Sequence, residues 1–132
     1  MTREQKDLLL KDLSARLPYE VKIAMPGLWD RKITIEPLNV IFKGDDDLFR
    51  INGNGHCIEY VKPYLFPLSS MTDEQKEEFD QIFELELKAI SDEIDPIRAT
   101  EFEVDFYNKH HLDWRGLIPM GLAIDATGLN IY

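Results

Sequence analysis

Apolar residues recur at helical spacing from the start of the chain. Leu9, Leu10, Leu13 and Leu17 share one helical face, Thr2 and Gln5 have the spacing of a capping box, and Pro18 closes the pattern. This predicts an amphipathic helix with one buried face. From Tyr19 to about Tyr60 the period shortens to two. Tyr19-Glu20-Val21-Lys22-Ile23 and Lys32-Ile33-Thr34-Ile35-Glu36 alternate, and Val40-Ile41-Phe42 and Leu48-Phe49-Arg50-Ile51 are short β-prone runs. Turn chemistry separates them: Pro26-Gly27, then Lys43-Gly44-Asp45-Asp46-Asp47, then Asn52-Gly53-Asn54-Gly55. Short strands joined by tight turns predict an antiparallel meander of four or five strands, and the pattern leaves open whether it curls into a small SH3-like barrel.

Pro63 and Pro67 make Lys62–Leu68 an extended, irregular crossover from sheet to helix, because proline lacks a donor and restricts its predecessor. Ser70 or Thr72 then caps a long helix to about Ile94, with Phe79, Ile82, Phe83, Leu87, Ile90 and Ile94 as its apolar stripe and Pro96 as its stop. Residues 100–111 fit two templates. Phe102, Val104 and Phe106 alternate as in a strand, whereas a Thr100–Glu103 capping box and the four-residue step of Phe102, Phe106 and His110 favour a helix. Asp113 is placed to cap a further short helix from Trp114 to Ile118, limited by Pro119 and Gly121. The expected fold is α+β: an N-terminal helix, the meander, a long acidic helix and shorter C-terminal helices, in one domain over residues 1–132.

Charge sharpens this picture. The chain has 15 basic and 25 acidic residues, and Thr72–Asp95 holds ten of the acids against two lysines, so it carries −8 of the net −10. Such a field repels phosphate backbones and anionic lipid, which disfavours nucleic acid and membrane as partners. No apolar run approaches the roughly 20 residues that cross a bilayer. The single cysteine, Cys57, excludes an internal disulfide, and Leu8-Leu9-Leu10 is too short and too closely flanked by charge for a secretory segment, so a cytoplasmic setting is expected.

Candidate chemistry is sparse. His110 and His111 are adjacent, so on a helix they diverge by about 100° and do not close on one ion; one is expected to pack or cap a helix end, the other to be solvated. His56 and Cys57 would face opposite sides of a strand, the wrong geometry for a thiolate–imidazole pair, although Cys57 could meet His110 or His111 in space. Asp45-Asp46-Asp47 lacks the alternate spacing of a calcium loop, and Gly53-Asn54-Gly55 lacks the lysine and helix start of a phosphate loop. Trp114 and Arg115 are of types enriched at interface centres. They equally suit an anchor that docks the tail onto the sheet, with Arg115 paired to the acidic helix.

Two stretches carry a resemblance: Tyr64-Leu65-Phe66-Pro67-Leu68-Ser69-Ser70-Met71-Thr72, and His110-His111-Leu112-Asp113-Trp114-Arg115-Gly116-Leu117-Ile118-Pro119-Met120-Gly121-Leu122-Ala123. They resemble a family of small uncharacterised proteins from gut Bacteroides, their relatives, and associated phages or mobile elements, over nearly the full length. Trp114 stands where that family has tyrosine or phenylalanine. The resemblance implies a bacterial cytosolic or phage-linked setting and a stand-alone domain; it brings no activity, cofactor or catalytic residue.

The sequence therefore predicts a non-enzymatic cytosolic interaction module that offers Tyr64, Phe66, Trp114 and Arg115 to a protein partner, with no catalytic group, cofactor or metal. One alternative is an acidic DNA-mimic decoy of a DNA-handling protein, and another is a small enzyme using Cys57 or His110 and His111.

Overall fold

The computed structural model describes residues 1–27, 32–43, 49–52, 54–56, 58–91, 93 and 95–132. Cys57, the Asp45-Asp46-Asp47 triplet, Leu48, Gly53 and Ile94 lie outside them. The fold is α+β, with an N-terminal helix, then strands, then helices.

Helix α1 (Arg3–Arg16) starts at the predicted capping box: Gln5 N–H donates to the Thr2 hydroxyl and Thr2 N–H to the Gln5 amide oxygen, at 3.1 and 3.0 Å. Its apolar residues pack on a four-stranded sheet of order β2-β1-β6-β7, formed by β1 (Lys22–Pro26), β2 (Ile33–Pro37), β6 (Lys62–Leu65) and β7 (Ile124–Asp125). The main core joins Leu9 and Leu13 to Val21, Ile23, Met25, Leu65 and Leu117. On the opposite sheet face a smaller cluster joins Ala24 and Tyr64 to Ala126, with Phe66, Ile124 and Ile131 against it. Side chains alternate across a strand, so β1 sends Ile23 and Met25 to one core and Ala24 to the other.

The predicted meander divides in two. Strands β3 (Ile41–Lys43), β4 (Phe49–Ile51) and β5 (Asn54–His56) form a separate antiparallel sheet, and the described strands do not close into an SH3-like barrel. Asn54 and Gly55, expected in a turn, pair with β4 instead. Pro63, expected to keep its segment irregular, sits inside β6 opposite Ile23. It precedes the point where β7 begins to pair, at Tyr64, so its missing N–H costs no bond there. Strand β7 runs parallel to β6 and is only two residues long, too short for alternation to reveal.

Helix α2 (Asp73–Ile90) starts at Thr72, one of the two caps expected, through a capping box with Gln75, but ends four residues before the expected Ile94. Pro96 opens helix α3 (Pro96–Lys109) rather than merely stopping its predecessor, with the Asp95 carboxylate accepting Ile97 N–H at 3.0 Å. Proline suits the first helical position, where its N–H would be unsatisfied anyway. Of residues 100–111, which fit both templates, 100–109 are thus helical, in a helix started earlier by Asp95, and His110 and His111 fall in the turn after it. Helix α2 packs on α3 through Phe79, whose ring lies 5.6 Å from Phe106 and 6.0 Å from Tyr107.

No further helix follows. Asp113 does accept Leu117 and Ile118 N–H at 2.7 and 2.9 Å, but the segment it holds is a series of turns. Gly116 and Gly121, at φ +75° and +74°, take left-handed conformations that a helix does not contain.

Candidate functional site

The four predicted surface residues are placed in structural roles. Tyr64 is 6% exposed and points into the smaller core. Phe66 is half-buried, 5.7 Å from the Tyr132 ring. The Tyr132 hydroxyl donates to Tyr64 C=O at 2.7 Å and accepts Lys22 N–H at 2.8 Å, which ties the chain end to the sheet. Trp114 stacks on Tyr107 at 6.0 Å and donates Nε1–H to Asn108 at 3.2 Å, so it docks the tail on α3 rather than on the sheet. The Arg115 guanidinium lies 4.0 Å over the Trp114 ring.

Arg115 is not paired to the acidic helix as the sequence predicts. It donates to Asp12 of α1 at 2.9 Å, and Asp12 also receives Arg16 Nε at 2.9 Å. Asp12 and Arg16 are both wholly buried, and Arg16 Nη2 continues to Leu112 C=O at 2.6 Å. A desolvated carboxylate attracts a guanidinium more strongly than the water-exposed acids of α2 do. The result is a cross-link between the first helix and the tail.

Both histidines are engaged, contrary to the expectation that one is solvated. His110 Nε2 meets Glu78 Oε2 at 2.8 Å, and Lys109 meets the other carboxylate oxygen at 3.1 Å. The His110 hydrogen bond, with help from Lys109, holds Glu78 below its usual pKa. His111, at φ +57°, stacks on the Tyr132 ring at 3.8 Å. Burial, then the nearby charge of Arg16, pushes it down to about 4, so it is neutral at pH 7. The two rings serve different neighbours. Among the described residues, no group of three or more His, Cys, Asp or Glu is arranged to hold a metal ion, and no helix is long and apolar enough to cross a membrane.

The α2–α3 hairpin offers more. Phe79, Ile82 and Leu85 turn at least partly inward, whereas Phe83, Leu87 and Ile90 are 51%, 50% and 81% exposed. These three fall at helical spacing and form a second apolar stripe, which the sequence reading had merged with the packed one. Asp73, Glu77, Asp80 and Glu84 border it and are exposed as well. Beside Ile90 a groove of about 350 Å³ runs between the helices, lined by Ala89, Ile90, Pro96 and Ala99 and by two acids, Glu86 and Glu103.

The two acids face each other closely enough to share a hydrogen bond. Glu103 pushes Glu86 up to about 7, since two neighbouring carboxyls do not both ionise readily. The Tyr107 hydroxyl also donates to Glu103, at 2.9 Å. Burial and this acceptor raise Tyr107 to about 12. The pair was missed because residues 17 apart on different helices share no local motif. Chemically it is a place for a cation: an ammonium or guanidinium between the carboxyls would favour ionisation of both.

No family model, no curated protein and no solved structure matches the chain, and the resemblance to the Bacteroides-associated family gains no support from them.

Proposed function

We propose that the protein is a non-enzymatic interaction module whose α2–α3 hairpin captures a basic amphipathic helix of another protein. The exposed Phe83–Leu87–Ile90 stripe, bordered by carboxylates, carries this reading. An amphipathic helix lays apolar anchors at i, i+3, i+4 and i+7 against such a surface. The segment's charge of −8 selects for lysine and arginine on the flanks of that helix. The Glu86–Glu103 groove would take one of those cations beside Ile90.

A pure mimic of DNA would present carboxylates without a central apolar stripe, so the stripe favours a helix over a DNA-handling cleft. The test is calorimetric titration with a designed helical peptide that bears leucines at heptad spacing and arginines alongside. Micromolar binding, lost in Leu87→Asp and absent for a peptide with glutamates in place of the arginines, is the expected result. Binding indifferent to Leu87→Asp and displaced by duplex DNA would overturn the proposal and support the decoy.

A further inference from the structure

Strand β2 lies at one edge of its sheet, and among the described residues only β1 pairs with it. Its direction of hydrogen bonding follows from the register. Gly27 N–H donates to Lys32 C=O at 2.8 Å, one step beyond the Pro26–Ile33 pair. Backbone groups of successive strand residues point alternately to the two sides. Those of Thr34 and Glu36 therefore turn toward β1, like those of Lys32, and those of Ile33 and Ile35 turn outward. Pro26 and Pro37, which have no N–H, occupy positions where none is needed between β1 and β2.

The side chains are as informative as the backbone. Ile33, opposite Pro26, and Ile35, opposite Ala24, share the face of Ala24, yet are 67% and 47% exposed. The Ala24 and Tyr64 columns of that face are covered by the tail, and the β2 column is not. Lys32, just before the strand, and Glu36 within it bracket Thr34 symmetrically, so segment 32–37 has no net charge within a chain of net charge −10.

We infer that β2 pairs antiparallel with β2 of a second copy of this chain, about a two-fold axis through Thr34. In that register Thr34 faces its own counterpart, and Ile33 faces Ile35 of the second copy. Lys32 faces Glu36 of the second copy at both ends. The outward N–H and C=O groups of Ile33 and Ile35 all find partners, and opposite charges and isoleucines meet across the strands. A register centred on Ile35 would set Pro37 against Ile33, which wastes an acceptor, and would separate the charges. Such an interface is isologous, as dimers commonly are. The acidic α2 surface cannot serve a second copy in this way, because it would meet its own sign of charge.

Sedimentation velocity of the full chain across a concentration series should show reversible conversion to twice the mass of one chain. Ile35→Pro removes an outward N–H and none directed to β1, so it should leave a folded monomer. Lys32→Glu should weaken the dimer about tenfold or more, since two ion pairs become like-charge pairs. Adding Glu36→Lys to the same chain should restore it. In a Cys57→Ser background, Thr34→Cys should oxidise readily to a covalent dimer, because Cα atoms in a non-hydrogen-bonded pair lie about 4.5 Å apart, within disulfide reach. A monomer at every concentration overturns the inference. So does a dimer whose strength ignores Lys32→Glu, or failure of the charge exchange to restore what Lys32→Glu removes.

Discussion

Replacing Asp12 with alanine tests the cross-link between α1 and the tail. Asp12 and Arg16 are fully buried, and Arg115 is 11% exposed at its side chain. With the carboxylate gone, Arg16 keeps Leu112 C=O as its one acceptor among the described residues, and a full positive charge stays desolvated. Removing one partner of a buried pair costs about 3–5 kcal/mol, because the remaining charge is uncompensated. A central value of about 4 kcal/mol corresponds to a fall of roughly 2–3 M in the urea midpoint at an m-value of about 1.5 kcal/mol/M. The same value lowers Tm by about 12–20 °C for a chain of this length. Asp7→Ala, on the exposed side of the same helix, should change stability by less than about 0.5 kcal/mol. Asp12→Leu with Arg16→Met removes the two wholly buried charges and should recover part of the loss, since apolar replacement of a buried pair is often neutral while Arg115 still loses its carboxylate. Urea unfolding followed by circular dichroism reads all three. A cost for Asp12→Ala below about 1 kcal/mol, or a double variant no better than the single one, would refute the reasoning.

Trp114→Ala should cost about 2–3 kcal/mol in the same assay, and Trp114→Phe about 1 kcal/mol, since phenylalanine keeps the Tyr107 stacking and loses the Asn108 bond. His111 is held at about 4 against an ordinary 6.5, so the unfolded chain binds the extra proton between those values. Its contribution is complete above pH 6.5 and is lost as pH falls toward 4. After allowance for partial solvent screening this amounts to about 1–2 kcal/mol, read as a drop in urea midpoint between pH 7 and pH 4.5 that His111→Phe abolishes. Peptide affinity should rise as pH increases through about 7, because a bound guanidinium favours ionised Glu86 beside Glu103 and Tyr107, the titratable groups that face it. Calorimetry across pH 6–8 checks this, and Glu86→Gln should flatten the dependence.

The most legible parts of the fold are those specified within a few residues. Thr2 with Gln5, and Thr72 with Gln75, each satisfy helix N–H groups locally; the spacing locates the first start, and Thr72 is one of the two caps expected for the second. Asp95 and Pro96 encode the start of α3 just as locally, but proline also reads as a stop, and the same pair of residues supports both meanings. Asp113 shows the limit of a cap as a signal. It holds two N–H groups as a cap would, while the left-handed glycines behind it keep the chain from continuing as a helix. The link from Arg16 through Asp12 to Arg115 was not legible, because it joins residues about 100 positions apart and depends on the packing that desolvates Asp12.

The candidate surfaces were hidden for a different reason. Periodicity says which residues share a face and is silent on whether anything covers that face. Phe83, Leu87 and Ile90 keep the same helical step as Phe79 and Ile82, yet only one side of α2 meets α3, and the other stripe is left at the surface. Ile33 and Ile35 alternate as a half-buried strand should, but α1 and the chain end cover β1 and β6 and do not extend over β2. Both apolar sets are therefore surplus to this chain's own core, and their charges part them. The α2 stripe lies in a field of carboxylates that excludes a second copy and suits a basic helix. The β2 edge balances one lysine against one glutamate, which suits a copy of itself. On the two proposals the chain pairs through one surface and binds a different protein through the other, and a Lys32→Glu monomer that still binds the basic peptide would separate the two.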